Sequence, residues 1–329
     1  MPDEPAICLE VLAVVRERGL LARDRPVLAM LSGGRDSTCL LDVAVRSRGA
    51  TSVGALHVNY GLRAEAGEDE RHCRALCERL GVRLEVVRAP AAPAAGEGNL
   101  QAWARDIRYA VAMRLAGERD ALVAAGHTAS DQVETILYRL AASPGRRALL
   151  GMAEAEGRLI RPLLGVTRAQ TGAYCEARGL SWREDASNSD ERFARARVRH
   201  GLLAALRAVH PAAEANVLRT AALLRVEAEL LEDLLASELG GREEIAIARL
   251  GELSPALARL IVIRLAEDTA GAYVPQAGGR VQELLALGRR GGRAELHLGG
   301  LVGAVIERGV LRMVRLPPRD GGGAAGRED

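Results

Sequence analysis

The sequence predicts a doubly wound α/β domain, a parallel sheet covered by helices on both faces, followed by a helical region and a small C-terminal domain. Three observations predict it. Short apolar runs alternate with amphipathic stretches from about residue 26 onward, the pattern of strands buried beneath helices. A glycine turn stands between the first apolar run and the first amphipathic stretch. After residues 159–164 the alternation stops and helical spacing takes over.

The elements follow in order. Residues 27–31 are a short buried strand, followed by the glycine turn and a helix near 38–47. Residues 53–58 are a second strand, and 65–80 have helical spacing at Cys73, Leu76, Cys77 and Leu80. A third strand is expected at 84–87, a loop rich in Ala, Pro and Gly at 89–98, a helix at 100–115, a strand at 121–125 and a helix at 132–140. Thr167 with Gln170 forms a capping box that opens a helix running to residue 178. Residues 181–190 are polar and turn-like, and 194–235 read as helices broken near His210-Pro211. Gly240 and Gly241 mark a boundary. Beyond it, helices at 255–267 and 279–287 precede weak strands at 294–298 and 302–306. The expected division is therefore an α/β domain at 1–190, a helical linker at 191–240, a small domain at 241–318 and a disordered glycine-rich tail at 319–329.

Composition narrows the function classes. All 45 basic residues are arginine, so any mechanism that needs a lysine of this chain is excluded. Aromatics make up 2%, so the core is built from Leu, Val, Ala and Ile. Five scattered cysteines do not form a disulfide framework, and Cys73 and Cys77, four apart on a helix, read as small core residues. The net charge of +2 leaves only local clustering to argue for nucleic acid. With no basic segment before an apolar stretch at the start and no run long enough to span a membrane, the expectation is a cytoplasmic protein with no membrane partner.

The chemistry centres on Ser32-Gly33-Gly34-Arg35-Asp36-Ser37, between the first strand and its helix. Glycines let the backbone turn sharply and approach a ligand, and the amides and dipole of the following helix start favour an anion. The pattern is neither a lysine-bearing Walker loop nor G-x-G-x-x-G. It resembles the PP-loop of the N-type ATP pyrophosphatases, which split ATP between its α and β phosphates. The resemblance implies that residues 32–37 bind ATP, that the loop holds pyrophosphate while AMP passes to an acceptor, and that Asp36 holds the magnesium ion accompanying ATP or orients a donor.

Four further segments resemble the tRNA(Ile)-lysidine synthases: His57-Val58-Asn59-Tyr60-Gly61-Leu62-Arg63; Asn99 to Ala102 with Arg105 and Arg108-Tyr109; Gly126-His127 with Asp131 to Thr135; and Ile160 to Leu164, leading to Asp185-Ala186-Ser187-Asn188 and Arg195, Arg197 and Arg199. That family's fold is of the adenine nucleotide alpha hydrolase type. Its reaction adenylates the wobble cytidine of a CAU-anticodon tRNA(Ile) with ATP, and the ε-amine of free L-lysine then displaces AMP. The resemblance implies ATP and Mg2+ as co-substrate, with no metal bound by the protein alone. This chain differs from the family at Thr128 and Ser130, where His and Asp are usual, at Tyr60 in place of His, and at Ala196 in place of Asn. Thr128 and Ser130 can still cap the helix.

His127, Asp131 and Glu134 lie at i, i+4 and i+7, one face of a helix that starts just after a parallel strand, where such sheets place their ligand crevice. The resemblance gives this trio to ATP, magnesium and the incoming lysine, because two carboxylates suit a cationic amine. Arg105 or Arg108 would stabilise phosphate charge. His57 and Asn59, at the end of the second strand, either contact the adenosine or form a strand-end turn. Residues 192–213 contain five arginines (192, 195, 197, 199 and 207) and no acid, and 139–168 contain six against two glutamates. Such patches suit an RNA backbone, with Asn188, Arg192, Arg195, Arg197 and Arg199 as the tRNA contacts. Alternatively, one of these arginines reaches into the crevice. Trp182 and Phe193 suit either base stacking or a core. Two rival readings are a cytidine thiolase, for which Cys39 stands alone and Cys73-x-x-x-Cys77 has the wrong spacing, and an RNA-binding module without catalysis.

Overall fold

The computed structural model describes residues 4–21, 24–62, 65–93, 100–142, 145–184 and 194–317, with the side chain of Arg195 excepted. Asn188, Arg192, Phe193 and the tail expected at 319–329 lie outside the described residues. The chain divides into two compact units, Met1–Leu224 and Arg225–Asp329.

The first unit opens with α1 (Ala6–Glu17), a helix beyond the sequence-based expectations, although Cys8, Val11, Leu12 and Val15 give it a buried stripe. Then come β1 (Val27–Met30), α2 (Arg35–Arg48), β2 (Val53–Asn59), α3 (Ala66–Leu80), β3 (Arg83–Arg88), α4 (Leu100–Glu118) and β4 (Leu122–Ala124). They are followed by α5 (Ala129–Ala142), α6 (Arg146–Leu149), the short β5 (Ala155–Glu156) and β6 (Leu159–Ile160), and α7 (Arg168–Ala177). The sheet runs β3-β2-β1-β4-β6-β5 and is parallel except for β5, which pairs antiparallel with β6 at the edge.

Side chains of β1 divide between two cores. Val27, Ala29 and the following Leu31 join α1, α2, α3 and α7 on one face. Leu28 and Met30 join α4 on the other. Each fully buried side chain of this size contributes about 1.5–3 kcal/mol, and a one-residue slip would exchange the faces, so register is fixed. Val27 stands opposite both Val53 of β2 and Leu122 of β4. The chain leaves β1 toward β2 and β3, then returns through α4 to β4 on β1's other side. That reversal opens a crevice at the carboxyl ends of β1 and β4, the place where open α/β sheets bind ligands.

Helix α7 locks onto α2. Its capping box is present as the spacing predicts, Thr167 accepting from the Gln170 amide and Gln170 accepting from the Thr167 amide. Buried Asp42 accepts from the Tyr174 hydroxyl at 2.5 Å and from Arg178 at 3.0 and 3.2 Å. Burial, with Asp42 beside it, pushes the Tyr174 phenol up.

From Ala194 the chain forms one interrupted helix: α8 (Ala194–Arg197), a π-type turn (Val198–Leu202) and α9 (Leu203–Val209). Helix α10 (Ala213–Leu239) starts after the expected break at His210-Pro211 and ends at Gly240 and Gly241, both left-handed. The second unit adds β7 (Glu244–Ala246), α11 (Ile247–Glu252), α12 (Pro255–Ala270), α13 (Val281–Arg289), β8 (Ala294–Gly299), β9 (Val302–Glu307) and β10 (Val310–Arg315). Its antiparallel sheet, β7-β10-β9-β8, shares a core with α12 and α13 around Ile261, Leu284 and Leu311. Strands β7 and β10 go beyond the sequence-based expectations. The first has three residues, and arginines break the apolar run of the second.

Gly126, just past β4, shows how tightly the crevice is drawn. A Cβ there would lie 3.2 Å from the backbone carbon and oxygen of Asp36 and 3.3 Å from the Ser37 Cα. Backbone cannot yield as a flexible side chain can. We expect Gly126→Ala to cost about 1–3 kcal/mol in urea unfolding and to weaken nucleotide binding. Unchanged stability and affinity would contradict this close approach.

Candidate active site

Strand β1 delivers the chain into Ser32 to Gly34, and α2 begins at Arg35. Gly33 is left-handed at φ +84°, a conformation that favours glycine, and a Cβ on it would lie 3.3 Å from the Cys73 Sγ of α3. The serines shape the turn. Ser37 Oγ donates to the Gly34 carbonyl at 2.8 Å and lies 3.0 Å from Ser32 Oγ, which accepts from the Gly34 amide at 3.3 Å. No side chain caps α2, so its first-turn amides at Arg35, Asp36 and Ser37 stand ready for an anion.

His57 and Asn59 stand at the carboxyl end of β2, each held by local bonds. The His57 ring, 5% exposed, places Nδ1 3.0 Å from the Leu31 carbonyl and 3.4 Å from Cys73 Sγ, beneath the loop. Asn59 donates to Glu70 at 3.1 Å and accepts from the Gly61 amide at 3.0 Å. Trp182 packs against the first core, and Cys73 and Cys77 are buried as expected.

Across the crevice, Thr128 caps α5 in place of the family's usual residue. Its amide and hydroxyl both donate to Asp131 Oδ2 at 2.8 Å, and its hydroxyl accepts from the Asp131 amide at 3.3 Å. Ser130 Oγ accepts from the Arg168 amide at 3.2 Å and so ties α5 to α7.

The carboxylates facing this space meet two guanidinium groups. Arg199, on the π-type turn, donates to Glu134 Oε1 at 2.7 Å and Oε2 at 3.0 Å, a two-pronged pair. Arg168 donates to Asp131 Oδ1 at 2.7 Å and to Glu134 Oε1 at 3.1 Å, and its Nε lies 3.6 Å from Asp36 Oδ2. Asp36 also accepts from the Thr171 hydroxyl and from Arg35 Nε. Burial works against the Arg168 charge, but Asp131, Glu134 and Asp36 outweigh it and raise its pKa. Arg168 is absent from the residues the sequence singles out. One local hint exists: it is a cation in the first turn of α7, where the helix dipole disfavours it, so an external carboxylate must hold it.

His127 completes the floor. Its Nδ1 is buried with no hydrogen-bond partner among the described residues. Burial first, then Arg161, Arg105 and Arg108, push its pKa down to about 4 against the pull of Asp131, so the ring is neutral at pH 7. Arg105 lies 4.8 Å and Arg108 5.8 Å from the Tyr109 ring centre. Arg108 Nε and the Tyr109 hydroxyl are also buried without partners among the described residues. Tyr60 meets Trp103 edge-on at 6.0 Å, and its hydroxyl donates to the Ala104 carbonyl at 2.9 Å. Of the arginines expected at RNA, Arg199 therefore faces the crevice, and Arg197 lies on the same interrupted helix.

A phosphate-gripping loop after β1, facing a polar crevice at the end of β4, defines a nucleotide-binding α/β domain of the pyrophosphate-loop class. The chain belongs to the PP-loop domain family, which its residues 9–206 match. It is similar to proteins named tRNA(Ile)-lysidine synthase. That of Pseudomonas aeruginosa is 41% identical over 215 residues, 63% of this chain and 48% of that protein. That of Azoarcus sp. is 37% identical over 282 residues, 82% of this chain and 62% of that protein. The chain thus spans about half the length of such relatives. Among solved structures, a U34-tRNA thiolase from Methanococcus maripaludis shares the fold, with a TM-score of 0.57 at 18% identity over 67% of this chain and 79% of that one. No helix among the described residues is long and apolar enough to cross a membrane.

Glu134 is 3% exposed, and a buried carboxylate that loses a partner is costly. We expect Arg199→Ala to destabilise the protein by about 2–4 kcal/mol, and by much less when Glu134 is already Gln. A double-mutant cycle in urea measures this, and equal losses in the two backgrounds would contradict the pairing.

Proposed function

We propose that this chain acts in the cytoplasm as a tRNA(Ile)-lysidine synthase: it adenylates the wobble cytidine of a CAU-anticodon tRNA(Ile) with ATP and joins free L-lysine to the activated base. The observation that carries the reading is the juxtaposition of a phosphate loop with two carboxylates, Asp131 and Glu134, already engaged by cations. A site that holds guanidinium groups in this way suits an ammonium group, and the loop beside it suits a triphosphate. The names of the relatives support the same reading.

In this mechanism the Ser32 and Ser37 hydroxyls and the first-turn amides of α2 hold the β and γ phosphates. Arg105 and Arg108, both near enough to His127 to depress its pKa, neutralise charge on the transferred phosphoryl group. Asp36 is suited to a magnesium ion carried in by the nucleotide, because such ions use one or two carboxylates together with phosphate oxygens and the Asp36 Oδ2 ion pair with Arg168 is a long one, at 3.6 Å. Magnesium there would offset phosphate charge. The cytidine O2 attacks the α phosphorus and pyrophosphate leaves. Asp131 and Glu134 then hold the lysine ε-amine against carbon 2 of the base. The amine nitrogen bonds to that carbon, the bond from carbon 2 to the AMP-bearing oxygen breaks, and AMP departs. In the tautomer with Nδ1 unprotonated, the neutral His127 ring would accept the proton the amine gives up. Catalysis is mostly positioning and charge stabilisation.

For RNA, the arm carrying Asn188, Arg192, Arg195 and Arg197 holds the phosphate backbone, while Arg199 serves the crevice. A thiolation reading gains no support from the cysteines near the loop. Cys39 and Cys73 are fully buried, and burial contributes to raising both thiols, Cys73 to about 12.

The deciding experiment is mass analysis of CAU-anticodon tRNA after incubation with the protein, ATP, magnesium and labelled lysine. We expect lysine in the tRNA only when ATP is present. Asp36→Ala should abolish AMP formation while leaving the circular dichroism spectrum unchanged. Substantial AMP release by a folded Asp36→Ala protein would show the loop to be misassigned.

A further inference from the structure

We propose that Arg168 makes the crevice bind its nucleotide before its amine, by occupying the amine's carboxylate oxygens until a triphosphate draws it away; this rests on the reading above that Asp131 and Glu134 receive an ammonium group. The oxygens can be counted. Asp131 Oδ2 is already taken by the Thr128 amide and hydroxyl. Glu134 Oε1 and Oε2 both accept from Arg199. The Asp131 oxygen left outside the cap is Oδ1, and Arg168 Nη2 donates to it at 2.7 Å. That oxygen can accept a second donor, but an ammonium set there would stand against the Arg168 charge, so the two cations compete for it.

The same guanidinium reaches toward the nucleotide. Its Nε is 3.6 Å from Asp36 Oδ2, in the first turn behind the phosphate loop, while its other nitrogens hold α5. One side chain thus spans both half-sites. Its backbone is fixed by the Ser130 bond and the Thr167 cap, so only the long side chain has to swing. With the loop empty, three carboxylates are the strongest anions near it. With the loop filled, triphosphate oxygens offer a denser negative charge on the Asp36 side, and Arg168 is drawn toward them. Asp131 Oδ1 is then released as the activated base is being made. Linkage makes the effect reciprocal, so a bound amine should tighten nucleotide binding by the same factor.

The test is equilibrium dialysis of radiolabelled L-lysine against the full chain, with and without α,β-methylene-ATP and magnesium, for the wild type, Arg168→Gln and Arg168→Lys. In the wild type the nucleotide should tighten lysine binding about tenfold, within the usual range of coupling between sites. Arg168→Gln should bind lysine without nucleotide about as tightly as the wild type does with it, and its gain from nucleotide should fall below about twofold. Arg168→Lys keeps the charge but cannot fork across three carboxylates, and should lie between them. It also carries the comparison should the glutamine variant fail to fold. The proposal is overturned if Arg168→Gln keeps the wild-type gain, or binds lysine more weakly than the wild type without nucleotide, which would make Arg168 a support of the site. Lysine binding to no variant under any condition is a separate result: it removes the amine assignment itself, and the ordering with it.

Discussion

Glu134 is an almost fully buried carboxylate beside a second one, Asp131, and within reach of the arginine that also approaches a third, Asp36. Such a concentration of negative charge next to a phosphate loop would oppose both folding and nucleotide binding if left alone. Arg199 and Arg168 make it tolerable. The rest of the first unit can be understood as what brings these two guanidinium groups to that place. The π-type turn carries Arg199 toward Glu134 while Val198 and Leu203 beside it pack on Val133 and Leu137 of α5. The capping box of α7, with the lock of Tyr174 and Arg178 on Asp42, sets Arg168 in register with α2 and α5.

Charge and backbone geometry depend on each other here. The crevice can be narrow because Gly126 lets the end of β4 run against the first turn of α2, and because Gly33 turns over Cys73 without a side chain. Burial strengthens the ion pairs of Glu134, which is 3% exposed. It also explains the neutral His127: a ring buried beside three arginines gives up its second proton, and its Nδ1 has no partner among the described residues. A protonated imidazole there would add a further positive charge to a cluster already cationic on that side.

Much of this was legible in the sequence. Apolar runs located β1, β2 and β4, because buried parallel strands read as near-continuous Val, Leu and Ala, and the half-buried edge strand β3 still showed as Leu84 to Val87. The glycines and serines of residues 32–37 marked the phosphate loop, and the spacing put Asp131 and Glu134 on one face of α5, but His127 lies before that helix, which begins only at Ala129 once β4 has ended and Thr128 has capped it. The partners of those residues were not legible. Arg168 and Arg199 lie 34 and 65 positions from Glu134, and no local pattern records such a contact. Arg199 therefore read as one more member of a basic stretch. His57 and Asn59 sit where a ligand contact is plausible on sequence, but packing turns His57 inward to Leu31 and Cys73 and leaves Asn59 bracing Gly61 and Glu70. Helix α1 and strand β10 escaped because one lies before the alternating region and arginines interrupt the other.

The central claim is that the carboxylates of α5 serve the amine rather than the nucleotide, and Glu134→Gln tests it most directly. Single-turnover reactions on CAU-anticodon tRNA can follow AMP transfer to the tRNA and lysine incorporation separately, in protein whose folding is checked by thermal melting. The account predicts that adenylation stays within about threefold of the wild type while lysine incorporation falls at least about tenfold, the loss of a charge-assisted contact. Equal loss of both half-reactions would contradict it and assign Glu134 to ATP or magnesium.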